Sequence, residues 1–186
     1  MKNKRGDIWV SAIIYFGLGI LIISILLAAG LPVINKLKDK NVLIQTKELF
    51  NVLDENMLIV ISGGPDSQRP ITLDIKKGEI RINDDANPNS ILWTFKGSRT
   101  FASEPDLNNF VPLEGTRNIR VKTKRSNVEG RYDITYILDY NNIALIKTGT
   151  GETKTIRGIS KKLIRNEGVD TSVAGNTKPT ILIKQI

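Results

Sequence analysis

The residue types that most often support chemistry are scarce in this chain. Among its 186 residues there is neither cysteine nor histidine. The chain therefore lacks the commonest general base, the commonest metal ligand and every thiol-based redox or metal site. Its carboxylates are dispersed, and no two of them form a recognisable acid–base pair. We expect a protein that is not an enzyme, with no catalytic residues, no metal site and no cofactor.

Two turn-rich segments superficially match ligand-binding loops. Asp85, Asn87 and Asn89 occupy the first, third and fifth positions of a calcium loop, but the glycine and the closing glutamate of that loop are missing. Residues 149–154 (GTGETK) resemble a phosphate-binding loop without its Walker spacing, and a strand pattern follows them instead of a helix. We interpret both segments as turns.

A cluster of cations is the strongest candidate for a binding site. Arg120, Lys122 and Lys124 alternate along a predicted strand, so their side chains share one face. Arg117 and Arg125 flank them. Such a row suits phosphate or a sulfated polymer, and the net charge of +8 favours anionic partners in general. The sequence thus indicates an anion-binding surface; the alternative is a solvated strand face or a charged, guarded sheet edge.

A hydrophobic N-terminal segment constrains where these residues lie. Residues 8–34 form a run of 27 residues without a charge. As an α-helix this run would be about 40 Å long, whereas a bilayer core is about 30 Å thick. We predict a transmembrane helix over residues 7–34. Within it, Ser24 and Ala28 form a small-residue pair that permits close helix approach, and Pro32 is expected to kink the helix.

Two conventional interpretations of this segment are open. The first is a secretory signal peptide with Ala28-Ala29-Gly30 as its cleavage site. The apolar run before that site is about 20 residues long, whereas such peptides usually have 7–15. The second interpretation is a plain, uncleaved membrane anchor.

A third interpretation rests on the residues that precede the helix. Directly before the apolar run stand a basic pair, a glycine and an aspartate: Lys4, Arg5, Gly6 and Asp7. This arrangement, with the helix to about residue 60, resembles the class III signal of type IV pilins, particularly of archaeal pilin-like proteins. In that family a prepilin-type peptidase cuts after the glycine and leaves the helix on the mature subunit. The resemblance implies a leader of residues 1–6.

The resemblance also bears on the type of pilin and on membrane topology. Ser11 would be the fifth residue of the mature chain, where bacterial pilins carry glutamate, and archaeal members often dispense with that residue. Cations flank the apolar run almost equally on both sides, so the positive-inside rule only slightly favours a cytoplasmic N-terminus. The resemblance implies this topology, a single-pass membrane protein with its C-terminal domain outside the cell.

A second, amphipathic stretch of helix is predicted over residues 35–62. On one of its faces, apolar residues and a threonine recur at intervals of three and four: Leu43, Thr46, Leu49/Phe50, Leu53 and Met57. Ser62-Gly63-Gly64-Pro65 then supplies a glycine stop with a proline beyond it. We expect this stalk helix to pack its apolar face on the domain that follows.

Residues 66–186 show the alternating pattern of β-strands. We predict a hairpin with its turn at Lys77-Gly78, and we place Trp93 and Phe95 in the core. The predicted strands are 71–75, 80–82, 90–96, 118–124, 131–139, 143–148, 154–160 and 180–185. Residues 161–165 fit a short helical turn or a strand end. The expected fold class is α+β, a long N-terminal transmembrane and stalk helix followed by an antiparallel β-sheet or sandwich domain.

Together these elements favour a type IV pilin-like structural subunit of a cell-surface filament. It would be anchored and assembled through its hydrophobic helix. Its expected partners are the membrane, further copies of the chain, a prepilin-type peptidase and anionic surface polymers. One alternative is an unpolymerised, single-pass membrane-anchored module for extracytoplasmic binding or adhesion. Another is a membrane-tethered enzyme, which would need converging carboxylates or hydroxyls in a cleft.

Overall fold

The computed structural model describes residues 4–106, 109–116, 118–170 and 177–186, with side chains from residue 9 onward. The chain divides into two compact units, Met1–Lys38 and Asp39–Ile186. In its described part the first unit is a single stretch of helix. The second unit contains the remainder of that helix and all the strands described below.

One uninterrupted helix, α1 (Lys4–Ser62), accounts for the first 59 described residues. Pro32 lies inside it without ending it. The helix ends where the sequence predicts: the Gly63 amide still donates to the carbonyl of Ile59 at 2.9 Å, and Gly64 then adopts a φ of 78°, which glycine tolerates best.

Eight strands follow the helix and form one sheet. In chain order they are β1 (Gln68–Asp84), β2 (Asn87–Ser98), β3 (Val111–Pro112), β4 (Ile119–Arg125), β5 (Tyr132–Asp139), β6 (Leu145–Thr148), β7 (Thr155–Val169) and β8 (Pro179–Gln185). Their order across the sheet is β3-β4-β5-β2-β1-β7-β8-β6. All neighbours are antiparallel except β6 and β8, which are parallel. The predicted α+β fold class is confirmed.

The predicted hairpin around Lys77-Gly78 is wrong. β1 runs through both residues and pairs with β7 on either side of them, with a bulge between Ile75 and Ile80. Gly78 serves this bulge: its φ is 81°, and a Cβ built there would overlap the carbonyl oxygen of Thr94. The first hairpin instead joins β1 to β2, with Asp84 paired to Asn87.

Two other boundaries differ from the sequence-based expectation. Residues 161–165, for which a helical turn was one option, lie within the long strand β7. The two-residue strand β3 was not predicted, because so short a segment carries no alternating pattern. The predicted strands 90–96, 118–124, 131–139, 143–148 and 180–185 coincide with observed ones to within about three residues, whereas β7 extends nine residues beyond the predicted strand 154–160.

The core of the second unit lies between α1 and one face of the sheet. The predicted apolar stripe of the helix is buried here: Leu43, Thr46, Phe50, Leu53 and Met57 are all less than 9 % exposed. Inward-facing residues of the strands complete the core, among them Ile71, Leu73, Ile80, Ile91, Ile134 and Ile164. We call the opposite side of the sheet the outer face.

An aromatic cluster lies at the centre of this core. The ring centroid of Trp93 lies 5.8 Å from that of Phe95 and 5.1 Å from that of Tyr136. Tyr136 in turn contacts Phe50 of the helix edge-on, with 6.2 Å between the ring centroids. The indole NH of Trp93 donates to the carbonyl of Lys77 at 2.9 Å, so its polar atom is satisfied inside the core. The predicted core position of Trp93 and Phe95 is therefore correct.

We expect Phe50→Ala to lower the free energy of unfolding by about 3–5 kcal/mol, because it leaves a cavity between helix and sheet. The matched control is Val52→Ala, since Val52 lies on the same helix but is 49 % exposed; a loss below about 1 kcal/mol is expected there. Denaturant unfolding of the full chain in detergent, followed by Trp93 fluorescence in a Trp9→Phe background, measures both. Equal losses would contradict the assigned core.

Candidate functional site

The first part of α1 presents apolar side chains on every side. Between Trp9 and Ile34 its large hydrophobic residues are 48–74 % exposed. The most apolar 18-residue stretch of the helix has a mean hydropathy of 2.6. Among the described residues this is the one helix long and apolar enough to cross a membrane. A continuous apolar surface of this size indicates a segment that binds lipid or other apolar chains.

The predicted cleavage-site and packing residues lie on this helix. The backbone of Lys4, Arg5, Gly6 and Asp7 is helical, and their side chains lie outside the described part; cleavage after Gly6 stays a prediction. Ser24, Ala28 and Pro32 recur every fourth residue and are exposed. The Ser24 hydroxyl donates to the carbonyl of Ile20 at 2.8 Å, so its hydrogen bond is local to the helix.

Two buried carboxylates of α1 join the helix to the sheet in the second unit. Asp39 is 2 % exposed, accepts a bond from Lys77 Nζ at 2.8 Å and another from the amide of Arg99 at 3.0 Å. Four turns later, Asp54 accepts from Asn118 at 2.7 Å and from the Tyr140 hydroxyl at 2.8 Å. These four bonds are charge-assisted and fix the rotation of the helix on the sheet.

The surroundings of Asp54 offer little for catalysis. A hollow of about 880 Å³ beside the helix is lined by Asp54, Glu55, Gly115 and Thr116, among others. Asp54 already uses both oxygens to accept hydrogen bonds. Burial, followed by the charge and hydrogen bond of Asp54, raises the pKa of Tyr140 well above its ordinary value, so this hydroxyl stays protonated. These groups are therefore engaged in holding the fold.

The predicted row of cations lies on the outer face. Along β4, Ile119, Val121 and Thr123 are buried, whereas Arg120 and Lys124 are exposed. Lys122, partly exposed, lies with its ammonium 5.9 Å from the centre of the Phe110 ring. The alternation inferred from the sequence therefore holds. Of the flanking cations, Arg125 pairs with Asp106 at 3.0 Å, and Arg117 lies outside the described residues.

Cations from other strands extend this row across the sheet. One row of paired residues crosses four strands on the outer face. It runs from Arg120 of β4 through Ile137 of β5 and Leu92 of β2 to Arg81 of β1. The next row on the outer face runs from Lys122 of β4 to Glu79 of β1. Arg157 of β7 forms an ion pair with Glu79. Lys96 of β2 is also exposed. We call the six cations the basic face: Arg81, Lys96, Arg120, Lys122, Lys124 and Arg157.

Two carboxylates lie within the basic face and are held by neighbours. Arg81 and Arg157 each donate two hydrogen bonds to Glu79. The bonds from Arg157 and then Arg81 hold the pKa of Glu79 below its ordinary value, so it remains ionised. Asp133 accepts a bond from the amide of Gly97 at 2.9 Å. Sequence reasoning found the cations of β4 but missed the other three, since only strand register brings them together.

The two loop-like segments are turns bound by the protein itself. Asp85 pairs with Lys154 at 2.7 Å, and the side chain of Asn89 bonds to Asn141 and to the amide of Ile146. Within the described ranges, no three acidic residues come together as a set of metal ligands. In the GTGETK turn, Glu152 accepts from Lys162 and from the amide of Gln185. These groups serve the fold.

Comparison with protein-family models, with curated proteins and with solved structures finds no match for this chain.

Glu152→Gln should lower the stability of the domain by about 1–3 kcal/mol at neutral pH. Lys162 faces Glu152 at 2.7 Å with only 6 % of its side chain exposed, so neutralising Glu152 leaves a buried ammonium without its partner charge. Glu167→Gln, at an exposed carboxylate, is the matched control and should change stability by less than about 0.5 kcal/mol.

The effect of Glu152→Gln should also depend on pH. Burial raises the pKa of Glu152, but the bonds from Lys162 and the Gln185 amide outweigh it and hold the pKa below the ordinary 4.5. The contribution of the carboxylate is therefore full above about pH 4.5 and is lost as the pH falls through the lowered value. Unfolding curves between pH 3 and 7 should converge for the two proteins at the acid end. A constant difference would contradict this assignment.

Proposed function

We propose that this protein is a type IV pilin-like structural subunit of a cell-surface filament. The observation that carries the proposal is the single helix α1. Its first part is apolar and exposed on all sides, and its second part belongs to the core of a β domain. Such a helix suits a subunit that packs its first part against other apolar helices and its second part on its own domain.

The residues before the span supply the second argument. Lys4 and Arg5 followed by Gly6 directly precede the apolar run, as in a class III signal. Cleavage after Gly6 would leave a mature chain that starts at Asp7 and keeps its whole helix. In this proposal the N-terminus is cytoplasmic and the β domain extracellular.

Assembly follows from the properties of the span. Removing an apolar helix from the bilayer would cost roughly 25 cal/mol for each Å² exposed to water. Packing the same helix against other copies would recover that surface. Ser24 and Ala28 provide a small-residue strip along which two helices can approach closely. In a filament with these helices in its core, burial of apolar surface and close packing would therefore be sufficient to hold the subunits together.

The first test maps the mature N-terminus by mass spectrometry after co-expression with a prepilin-type peptidase. We expect a chain that begins at Asp7. Gly6→Val should keep the leader attached, because the peptidase site is lost, whereas Gly17→Val, inside the span, should be processed normally. An intact Met1 in the wild-type membrane fraction would contradict pilin processing. A start near Leu31 would show that the span is removed as a signal peptide.

The second test distinguishes a filament from an unpolymerised anchored module, which the exposed basic face would also suit. Because the chain has no cysteine, Ala28→Cys introduces a unique thiol on the small-residue strip. A bifunctional thiol reagent should give oligomeric products in cells if the spans pack together. Gln68→Cys, at an exposed position of β1, controls for random collision. Oligomers absent from Ala28→Cys, or equally abundant in Gln68→Cys, would favour the unpolymerised module.

A further inference from the structure

The basic face is broad, and its cations do not converge on one point. Side chains two residues apart along a strand are about 7 Å apart, and neighbouring strands are about 4.8 Å apart. From Arg120 and Lys124 on β4 to Arg157 on β7 there are four strand spacings, or roughly 19 Å. A single phosphate or carboxylate would contact only one or two of the six cations. A ligand that uses the whole surface must carry repeated negative charges.

The cations of β4 and β2 are the accessible part of this surface. Arg120, Lys124 and Lys96 are exposed. Glu79 is occupied by the two arginines beside it, and Asp133 by the amide of Gly97. The repulsion that Glu79 would exert on an anionic ligand is thereby reduced. At the β7 side, Arg81 and Arg157 both pair with Glu79, and Arg81 also lies 3.9 Å from Asp84.

The surface between the cations contains small polar groups. Thr94 and Thr135 are partly exposed and pair with each other across β2 and β5. On its other side Thr94 pairs with Glu79, and Thr135 pairs with Lys122. Leu92 and Ile137, between Arg81 and Arg120, are only 7 % and 6 % exposed. Such a surface offers hydroxyl groups and cations to a chain lying across the strands. Threonine hydroxyls can donate to and accept from sugar hydroxyls.

The same features distinguish between two kinds of polyanion. Proteins that bind single-stranded nucleic acid stack bases on aromatic side chains. Of the six cations of this face, only Lys96 has an aromatic neighbour along its own strand, and that neighbour, Phe95, is buried. At the edge of the face, Phe110 lies under Lys122. Duplex DNA is usually read by an element that enters a groove, whereas the cations of this face lie on neighbouring strands within a sheet. Sulfate and carboxylate groups accept hydrogen bonds readily from arginine and lysine.

We propose that the basic face binds an acidic polysaccharide, with its sulfate or carboxylate groups on Arg120, Lys122, Lys124 and Lys96. This inference goes beyond the proposed filament function and does not depend on cleavage or polymerisation. It requires only that the outer face of the sheet is accessible to the polymer.

The test uses the full chain in nanodiscs of zwitterionic lipid, with heparin as the sulfated probe and dextran as the neutral one. We expect heparin to bind and dextran not to bind. Lys122→Glu/Lys124→Glu should weaken heparin binding at least tenfold and reduce the slope of log affinity against log salt by about two, one for each cation removed. The matched control, Lys36→Glu/Lys40→Glu, reverses two exposed lysines of α1 and should change the affinity by less than twofold.

Three results would overturn the proposal. They are no heparin binding by the wild-type chain, equal weakening by the two double variants, and tighter binding of a DNA duplex than of heparin at the same salt concentration. The last result would assign the surface to nucleic acid instead. Thermal unfolding checks that each variant is folded. Should the charge reversals unfold the domain, Arg120→Gln/Lys124→Gln removes two charges of the β4 row at exposed positions, and a tenfold loss is again expected.

Discussion

The main constraint on this protein is that one helix must be stable in two different environments. An α-helix satisfies its own backbone hydrogen bonds, so α1 can be apolar on all sides in its first part and apolar on one side in its second. No loop separates the two parts, and Pro32 does not interrupt them. In the second unit the helix then acts as the central element of the core, and the strands are arranged around it.

Hydrophobic packing alone would leave the rotation of this helix weakly defined, since apolar side chains can exchange places at modest cost. The two buried carboxylates, Asp39 and Asp54, remove that freedom. Each accepts hydrogen bonds from groups far away in sequence. The donors to Asp39 are Lys77 of β1 and the amide of Arg99, which follows β2. The donors to Asp54 are Asn118, which precedes β4, and Tyr140, which follows β5. Displacing the helix by one residue would leave both charges buried without partners, which is costly. These hydrogen bonds thereby specify one arrangement.

The sequence predicted the features that are encoded locally. Three- and four-residue spacing placed Phe50, Leu53 and Met57 on one buried face, and two-residue alternation placed Arg120 and Lys124 opposite the core. It failed where a non-local contact decides the structure. Lys77-Gly78 has the composition of a turn, but pairing with β7 makes it a bulge inside a strand. The basic face was only half predicted, because Arg81, Lys96 and Arg157 join it through strand register, which no local pattern reveals.

The position of β6 has a consequence for biosynthesis. Among the described strands, β6 pairs with β8 alone, and β7 pairs with the other side of β8. A ribosome therefore delivers β6 well before its partner exists. Parallel, non-local pairing of this kind is formed late and slowly. Until then the chain carries an unpaired strand, so a holding chaperone or rapid export would protect it from aggregation during synthesis.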